Sequence, residues 1–161
     1  MSTRLQTALF VMCGVLAAPA AARADVTAFL GVSPTSGLHL GRGAALGAGF
    51  IVVAFEAEAA QIAEVTADGE PALTTGMANI LVQTPLEVSR MQVYGTAGAG
   101  LYRERLGAIQ ETNAAANLGG GVKIRLAGPL KLRLDYRVFR LRGAPRHPTW
   151  HRVYAGATLG F

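Results

Sequence analysis

Glu56 and Glu58 have the spacing in this chain that most directly suggests chemistry. They stand two positions apart in residues 53–63, where small or apolar residues alternate with polar ones. On a β-strand, residues two apart point to the same face, about 7 Å from one another. Two carboxyl groups placed in this way can serve as a general acid and a general base. Charged residues further along the chain favour a different role for them.

Residues 130–138 carry charges that match these glutamates. The even positions are Leu, Leu, Leu, Tyr and Val, and the odd positions are Lys, Arg, Asp and Arg. Period two without exception over nine residues indicates a strand and not a helix. Charges enclosed by a sheet must pair, because an unpaired buried charge is costly. We therefore expect an internal ion-pair network that plugs the lumen, formed by Glu56, Glu58, Lys123, Arg125, Arg133, Asp135 and Arg137.

Histidine and serine give little support for an enzyme. Ser33 or Ser36 could approach His39, but the sequence shows no orienting carboxylate nearby. The four-residue spacing of His147 and His151 suits zinc only on a helix, whereas this segment is expected to be a loop that leads into a strand. We therefore expect no catalytic residues, no metal and no cofactor, and the sequence identifies no small-molecule substrate.

The first 24 residues have the features of a cleaved export signal. Arg4 precedes an apolar run over residues 8–18, and Ala22-Arg23-Ala24 offers a cleavage site. A cut after Ala24 leaves residues 25–161 as one domain. Cys13 is the only cysteine, so the exported domain would have no disulfide and no thiol. Its basic residues only slightly exceed its acidic ones, and no nucleic-acid motif is present, so nucleic acid is not an expected partner.

Eight segments of the exported domain are predicted strands. Long polar connections at residues 34–42, 64–74, 103–113 and 142–149 alternate with short ones near 51–52, 85–90 and 127–129. No turn residue follows Gly49 in the first short connection, so that turn is inferred from the strand count. No apolar run reaches the roughly 18 to 20 residues of a spanning helix. The predicted strands are residues 26–33, 43–50, 53–63, 76–84, 91–102, 114–126, 130–138 and 150–161.

The last strand ends on Phe161, and its odd positions from 153 onward are all apolar. Together with the export signal and the loop asymmetry, it resembles the small outer-membrane β-barrels of the OmpA/OmpX-type, porin-like superfamily. The resemblance implies an all-β, eight-stranded, antiparallel, up-and-down transmembrane barrel. It also implies residence in the outer membrane of a Gram-negative-type bacterium with both termini periplasmic. Phe161 would then be the insertion signal that the barrel-insertion machinery reads.

A structural, envelope-integrity or surface-interaction role is the function that these features favour. Guanidinium groups suit phosphate, so the basic residues around the last long loop are expected to face lipopolysaccharide. Trp150 and Tyr136 would lie in the aromatic belts at the membrane interfaces. The alternatives are a narrow channel for small solutes, a soluble lipocalin-like periplasmic binder and a lipid A-modifying barrel enzyme. The basic residues are Arg142, Arg146, His147 and Arg152.

Overall fold

The computed structural model describes residues 23–35, 37–65, 69–85 and 87–161. The predicted export signal therefore lies outside the described residues, apart from Arg23 and Ala24. Alternating sequence patterns form eight strands in chain order. These are β1 Arg23–Ser33, β2 His39–Gly49, β3 Val53–Ile62, β4 Ala72–Gln83, β5 Met91–Leu106, β6 Ile109–Ala127, β7 Leu130–Leu141 and β8 Thr149–Gly160.

The eight strands close into an antiparallel up-and-down barrel. Each strand pairs with the next along the chain, and β8 returns to pair with β1 from Asp25↔Gly160 to Val32↔Val153. The Phe161 amide donates to the Ala24 carbonyl at 2.9 Å, and the Ala24 amide donates to the Phe161 carbonyl at 3.0 Å. The all-β, eight-stranded fold class expected from the sequence is confirmed.

The outer wall is mainly apolar, and the acidic strand residues all take inward positions. Leu118, Val93 and Ile80 are 68%, 56% and 51% exposed on the outer wall. Their strand neighbours alternate with buried inward positions, as the period of two in a β-strand requires. An arrangement of this kind suits lipid outside the barrel, because a barrel in water would place its apolar side chains inside.

The third long connection was predicted wrongly. Residues 103–113 are almost entirely strand, because β5 and β6 continue as a paired ladder from Tyr102↔Asn113 to Leu106↔Ile109. Only Gly107 and Ala108 form the turn, and Gly107 has the positive φ of 57° that such a tight turn needs. The segment was interpreted as a loop because its residues are mostly polar on both faces. One set of alternate residues faces the barrel mouth and the other faces the outer wall.

The first short turn lies where the strand count placed it. β2 ends at Gly49, β3 begins at Val53, and the Phe50 amide donates to the Val53 carbonyl at 2.8 Å.

Inward-facing glycines make room for the large side chains of the lumen. A methyl group at Gly121 would lie 2.6 Å from the Tyr94 hydroxyl and would overlap the Leu134 carbonyl. The outward-facing Gly76 has open space instead, with nothing within 4 Å of such a methyl. Glycine at inward positions therefore relieves crowding in a barrel only just wide enough for its own side chains.

Candidate functional site

Three strands supply the charges at the centre of the barrel. β3 provides Glu56 and Glu58, β7 provides three charged residues at alternate positions, and β8 provides Arg152. Each of the six side chains is 4% exposed or less. The central network consists of Glu56, Glu58, Arg133, Asp135, Arg137 and Arg152, and its three arginines balance its three carboxylates.

Arg133 joins β7 to β3 across the lumen. Its guanidinium contacts the Glu56 carboxylate and lies 3.1 Å from Asp135 Oδ2. Its Nε also donates to the Tyr94 hydroxyl at 2.7 Å. All of these contacts lie in the buried interior, where charge-assisted hydrogen bonds are strongest.

Arg137 contacts all three carboxylates of the central network. Its Nη2 lies 2.9 Å from Glu56 Oε1, and its Nη1 lies 2.9 Å from Glu58 Oε2. Its Nε donates to Asp135 Oδ1 at 3.1 Å. The side chain itself is fully buried. Arg137 therefore links the carboxylates of β3 to that of β7, and its removal would leave each of them with one cation fewer.

Neutral polar side chains complete the hydrogen bonding of the network. The hydroxyl groups of Tyr94 and Tyr154 both donate to Asp135, the latter at 2.9 Å. Asn79 Nδ2 donates to Glu56 at 3.2 Å, and Asn117 Nδ2 donates to Asn79 at 2.8 Å. Sequence reasoning missed their role because it searched for charges. Their inward phase was the signal that could have identified them.

Aromatic rings line the guanidinium groups. The Arg133 Cζ lies 4.9 Å from the centre of the Tyr94 ring, and the Arg152 Cζ lies 4.7 Å from that of Phe139. A cation over a ring face is attracted by the ring quadrupole, more strongly where water is excluded. The rings thus fill the space between charged groups and add to their stabilisation.

Two residues assigned to the network from sequence have other partners. Lys123 is buried in the lumen, but its Nζ pairs with Asp25 at 2.8 Å. The Arg125 assignment was wrong, because β6 carries that inward-phase residue beyond the enclosed lumen to the short-turn end. There its exposed guanidinium makes two hydrogen bonds to Glu87, at 2.7 and 2.8 Å. Through them Arg125 lowers the pKa of the Glu87 carboxyl below its usual value.

The basic set predicted around the last loop does not share one environment. Placing Arg152 there was wrong, because β8 begins at Thr149 and turns Arg152 inward, where Nη2 lies 2.5 Å from Glu58. His147 is half-buried, with its Nε2 3.1 Å from Glu70. Arg142 and Arg146 are exposed, although the Arg146 amide donates to Glu104 at 3.1 Å.

Trp150 was also misplaced by the sequence. It is 1% exposed and packs inside the loop end of the barrel, so it does not belong to an outer aromatic belt. Its ring meets the His147 ring edge-on, with the two centroids 5.7 Å apart. Tyr136 does face outward, and its hydroxyl is 2.7 Å from His151 Nδ1. The apolar cluster that contains Trp150 also includes Ile62, Leu73, Met77, Tyr102, Ala115, Phe139 and Leu141.

A cavity of about 620 Å³ occupies the short-turn end of the barrel. Asp25, Lys123, Arg125 and Lys131 are among the residues that line it, and none of the six central-network residues does. The cavity is therefore a vestibule open to one side, with the charged network beyond it.

Three solved structures of bacterial barrels resemble the chain. The N-terminal barrel domain of Pseudomonas aeruginosa OprF superimposes with a TM-score of 0.67 at 13% identity, over 86% of this chain and 97% of its own. Neisserial surface protein A gives 0.66 at 16% identity, over 87% and 96%. Ail of Yersinia pestis, in complex with the heparin analogue sucrose octasulfate, gives 0.58 at 11%, over 87% and 99%. The chain has the fold of the small outer-membrane β-barrels. No family model and no curated protein matches its sequence.

The catalytic groups considered from the sequence have other partners in this barrel. Both glutamates are ion-paired with arginines. Ser33 does lie opposite His39 in the β1–β2 ladder, but its hydroxyl donates to the His151 carbonyl at 2.7 Å. Ser36 lies outside the described residues. Among the residues that the structure describes, no group of three or more His, Cys, Asp or Glu side chains is placed to hold a metal ion. None of the described residues forms a helix long and apolar enough to cross a bilayer.

Proposed function

We propose that the protein is an integral outer-membrane barrel with a structural, envelope-integrity or surface-interaction role and a plugged lumen. The observation that carries this proposal is the six-residue charged network, which balances its own charge and spans the lumen from β3 to β7 and β8. No catalytic role is proposed, since both glutamates are committed to arginines.

The outer wall supports residence in lipid. Strand closure leaves no open sheet edge among the eight strands. A barrel in lipid must be closed in this way, because hydrocarbon offers backbone groups no hydrogen bonds. Large apolar side chains such as Leu46, Phe55 and Leu118 are more than half exposed on this wall. Their burial in lipid would supply the driving force for insertion.

The proposed orientation puts the short turns and both chain ends in the periplasm. It extends the confirmed pairing of β1 with β8, which brings Ala24 and Phe161 together at the short-turn end. The Phe161 side chain is 74% exposed there and so is open to the barrel-insertion machinery. Export itself would depend on the signal at residues 1–24.

Fractionation combined with gel mobility tests this proposal. A folded barrel should sediment with the outer membrane, remain there in high salt, and migrate differently on a denaturing gel before and after boiling. Recovery in the soluble periplasm without a heat-dependent shift would overturn the proposal and favour a soluble ligand binder. A suitable control is a chain truncated before β8, which cannot close the barrel and should show no shift.

A narrow channel is the second candidate function, and the 620 Å³ vestibule is the observation that favours it. Conduction would require water to pass the side chains of Arg133 and Arg137, both of which contact Glu56. Planar-bilayer conductance separates the plugged barrel from the channel.

A further inference from the structure

The charged strand side chains on the outer wall of the barrel are all positive. Among the strand residues that the structure describes, every charged side chain at an outward position is an arginine, and these are Arg42, Arg103, Arg105 and Arg140. The acidic strand residues occupy inward positions, as Glu104 and Glu111 do in the β5–β6 ladder. All four arginines lie toward the loop ends of their strands. The wall below them carries mostly small or apolar outward side chains, with the hydrogen-bonded pair of Tyr136 and His151 as a polar exception.

Arg103, Arg140 and Arg142 flank the loop-end half of β6, Arg103 from β5 and the other two from β7 and the residue just after it. Arg103 is level with Thr112 on β6, Arg140 is level with Ala116, and the Arg142 amide donates to the Ala114 carbonyl at 2.9 Å. Strand spacing of about 4.8 Å and a two-residue rise of about 7 Å put the Cα atoms of Arg103 and Arg142 about 12 Å apart. The small side chains of β6 leave the surface between them open.

Neutralising partners are absent from this cluster. Among the described residues, no carboxylate pairs with Arg103, Arg140 or Arg142, and only Arg140 has a side-chain hydrogen bond, to the Thr149 hydroxyl. Three guanidinium groups on one lateral face are therefore available to bind an anion from outside the protein. Directly below them, Leu101 and Leu118 are 62% and 68% exposed, so the same partner must also present hydrocarbon.

We propose that Arg103, Arg140 and Arg142 form a binding site for the phosphates of lipid A on the outer wall of the barrel. Guanidinium groups bind phosphate through paired hydrogen bonds, and the apolar wall below receives acyl chains. This inference rests on the proposed outer-membrane location. It revises the site expected from the sequence, since Arg142 remains while Arg152 faces the lumen and His147 contacts Glu70.

Titration with fluorescent lipid A tests the site. The refolded barrel in neutral detergent is mixed with lipid A that carries its phosphates and, separately, with lipid A from which they have been removed. The wild-type protein should bind the phosphorylated form more tightly by roughly tenfold or more. The triple variant Arg103→Gln/Arg140→Gln/Arg142→Gln, called the wall variant below, should lose the preference for phosphorylated lipid A. The variant Arg90→Gln/Arg125→Gln/Lys131→Gln removes the same charge at the short-turn end and should keep it.

Several outcomes would overturn the site. An unchanged affinity in the wall variant would exclude these arginines, and equal wild-type affinity for the two lipids would exclude phosphate recognition. A wall variant that loses binding to heparin but not to lipid A would indicate a sulfated polysaccharide instead. If the wall variant shows no heat-dependent gel shift, it has not folded. The affinities of the wild-type protein for the two lipids then test phosphate recognition by themselves. In every case the fractionation result judges the outer-membrane proposal separately.

Discussion

Replacing Arg137 with methionine is expected to lower the free energy of unfolding by about 3–5 kcal/mol, since removing one partner of a buried ion pair strands the others. The side chain contacts Glu56, Glu58 and Asp135 and is fully buried. After the replacement, three carboxylates would share Arg133 and Arg152. The central network would hold an excess negative charge where bulk water cannot screen it.

Urea titration of the folded and unfolded gel bands in lipid vesicles measures this effect. Arg125→Met is the matched control, because it breaks an exposed ion pair with Glu87 that is worth about 1 kcal/mol or less. Adding Glu58→Gln to Arg137→Met should recover part of the loss by removing one stranded charge. Equal losses for Arg137→Met and Arg125→Met would show that the interior charges are well hydrated and not enclosed.

Replacing Trp150 with alanine is expected to cost about 3–5 kcal/mol, as truncation of a buried tryptophan usually does. Trp150 is 1% exposed and packs with Phe139, Leu73 and Tyr102 beneath the last loop. Alanine would leave a cavity that rigid strands cannot close, and it would also remove the edge contact to His147. The loss combines the transferred surface with the lost dispersion contacts.

Trp150→Phe provides the comparison, because it keeps most of the volume and should cost less than about 1.5 kcal/mol. Both variants can be followed by gel mobility in urea, which needs no fluorophore after the single tryptophan of the chain is removed. A small loss for Trp150→Ala, similar to that of Trp150→Phe, would contradict burial in the lumen and would instead favour the lipid-interface position expected from the sequence.

Alternation along the chain predicted most of the fold. In β7 the inward set of Lys131, Arg133, Asp135 and Arg137 was assigned correctly, because period two fixes which face each residue takes. The end of a strand is a weaker signal. Polar residues such as Arg103 and Glu104 were read as loop, although a ladder that extends past the membrane needs no apolar wall.

The ion-pair partners inside the lumen were harder to predict than the face of the strand on which each residue lies. Arg125 has the inward phase but lies past the enclosed lumen. Arg152 lay within the predicted last strand, yet it was grouped with the basic residues of the preceding loop although its phase is inward. Height along the barrel axis depends on strand register, which pairs Arg137 with Arg152 and Gly47 with Glu56. A single sequence does not determine the strand register, so it does not determine which charged residues form ion pairs. Phase also identified Tyr94 as inward, but not the hydrogen bond that it gives Asp135.

Planar-bilayer conductance of the wild-type protein tests the plugged lumen most directly. Insertion is first verified by the heat-dependent gel shift, and the current is then compared with that of the protein-free bilayer. A lumen filled by the central network predicts no current above this baseline. Stepwise wild-type currents that increase in the Arg133→Ala variant would contradict it and would establish a channel through the network.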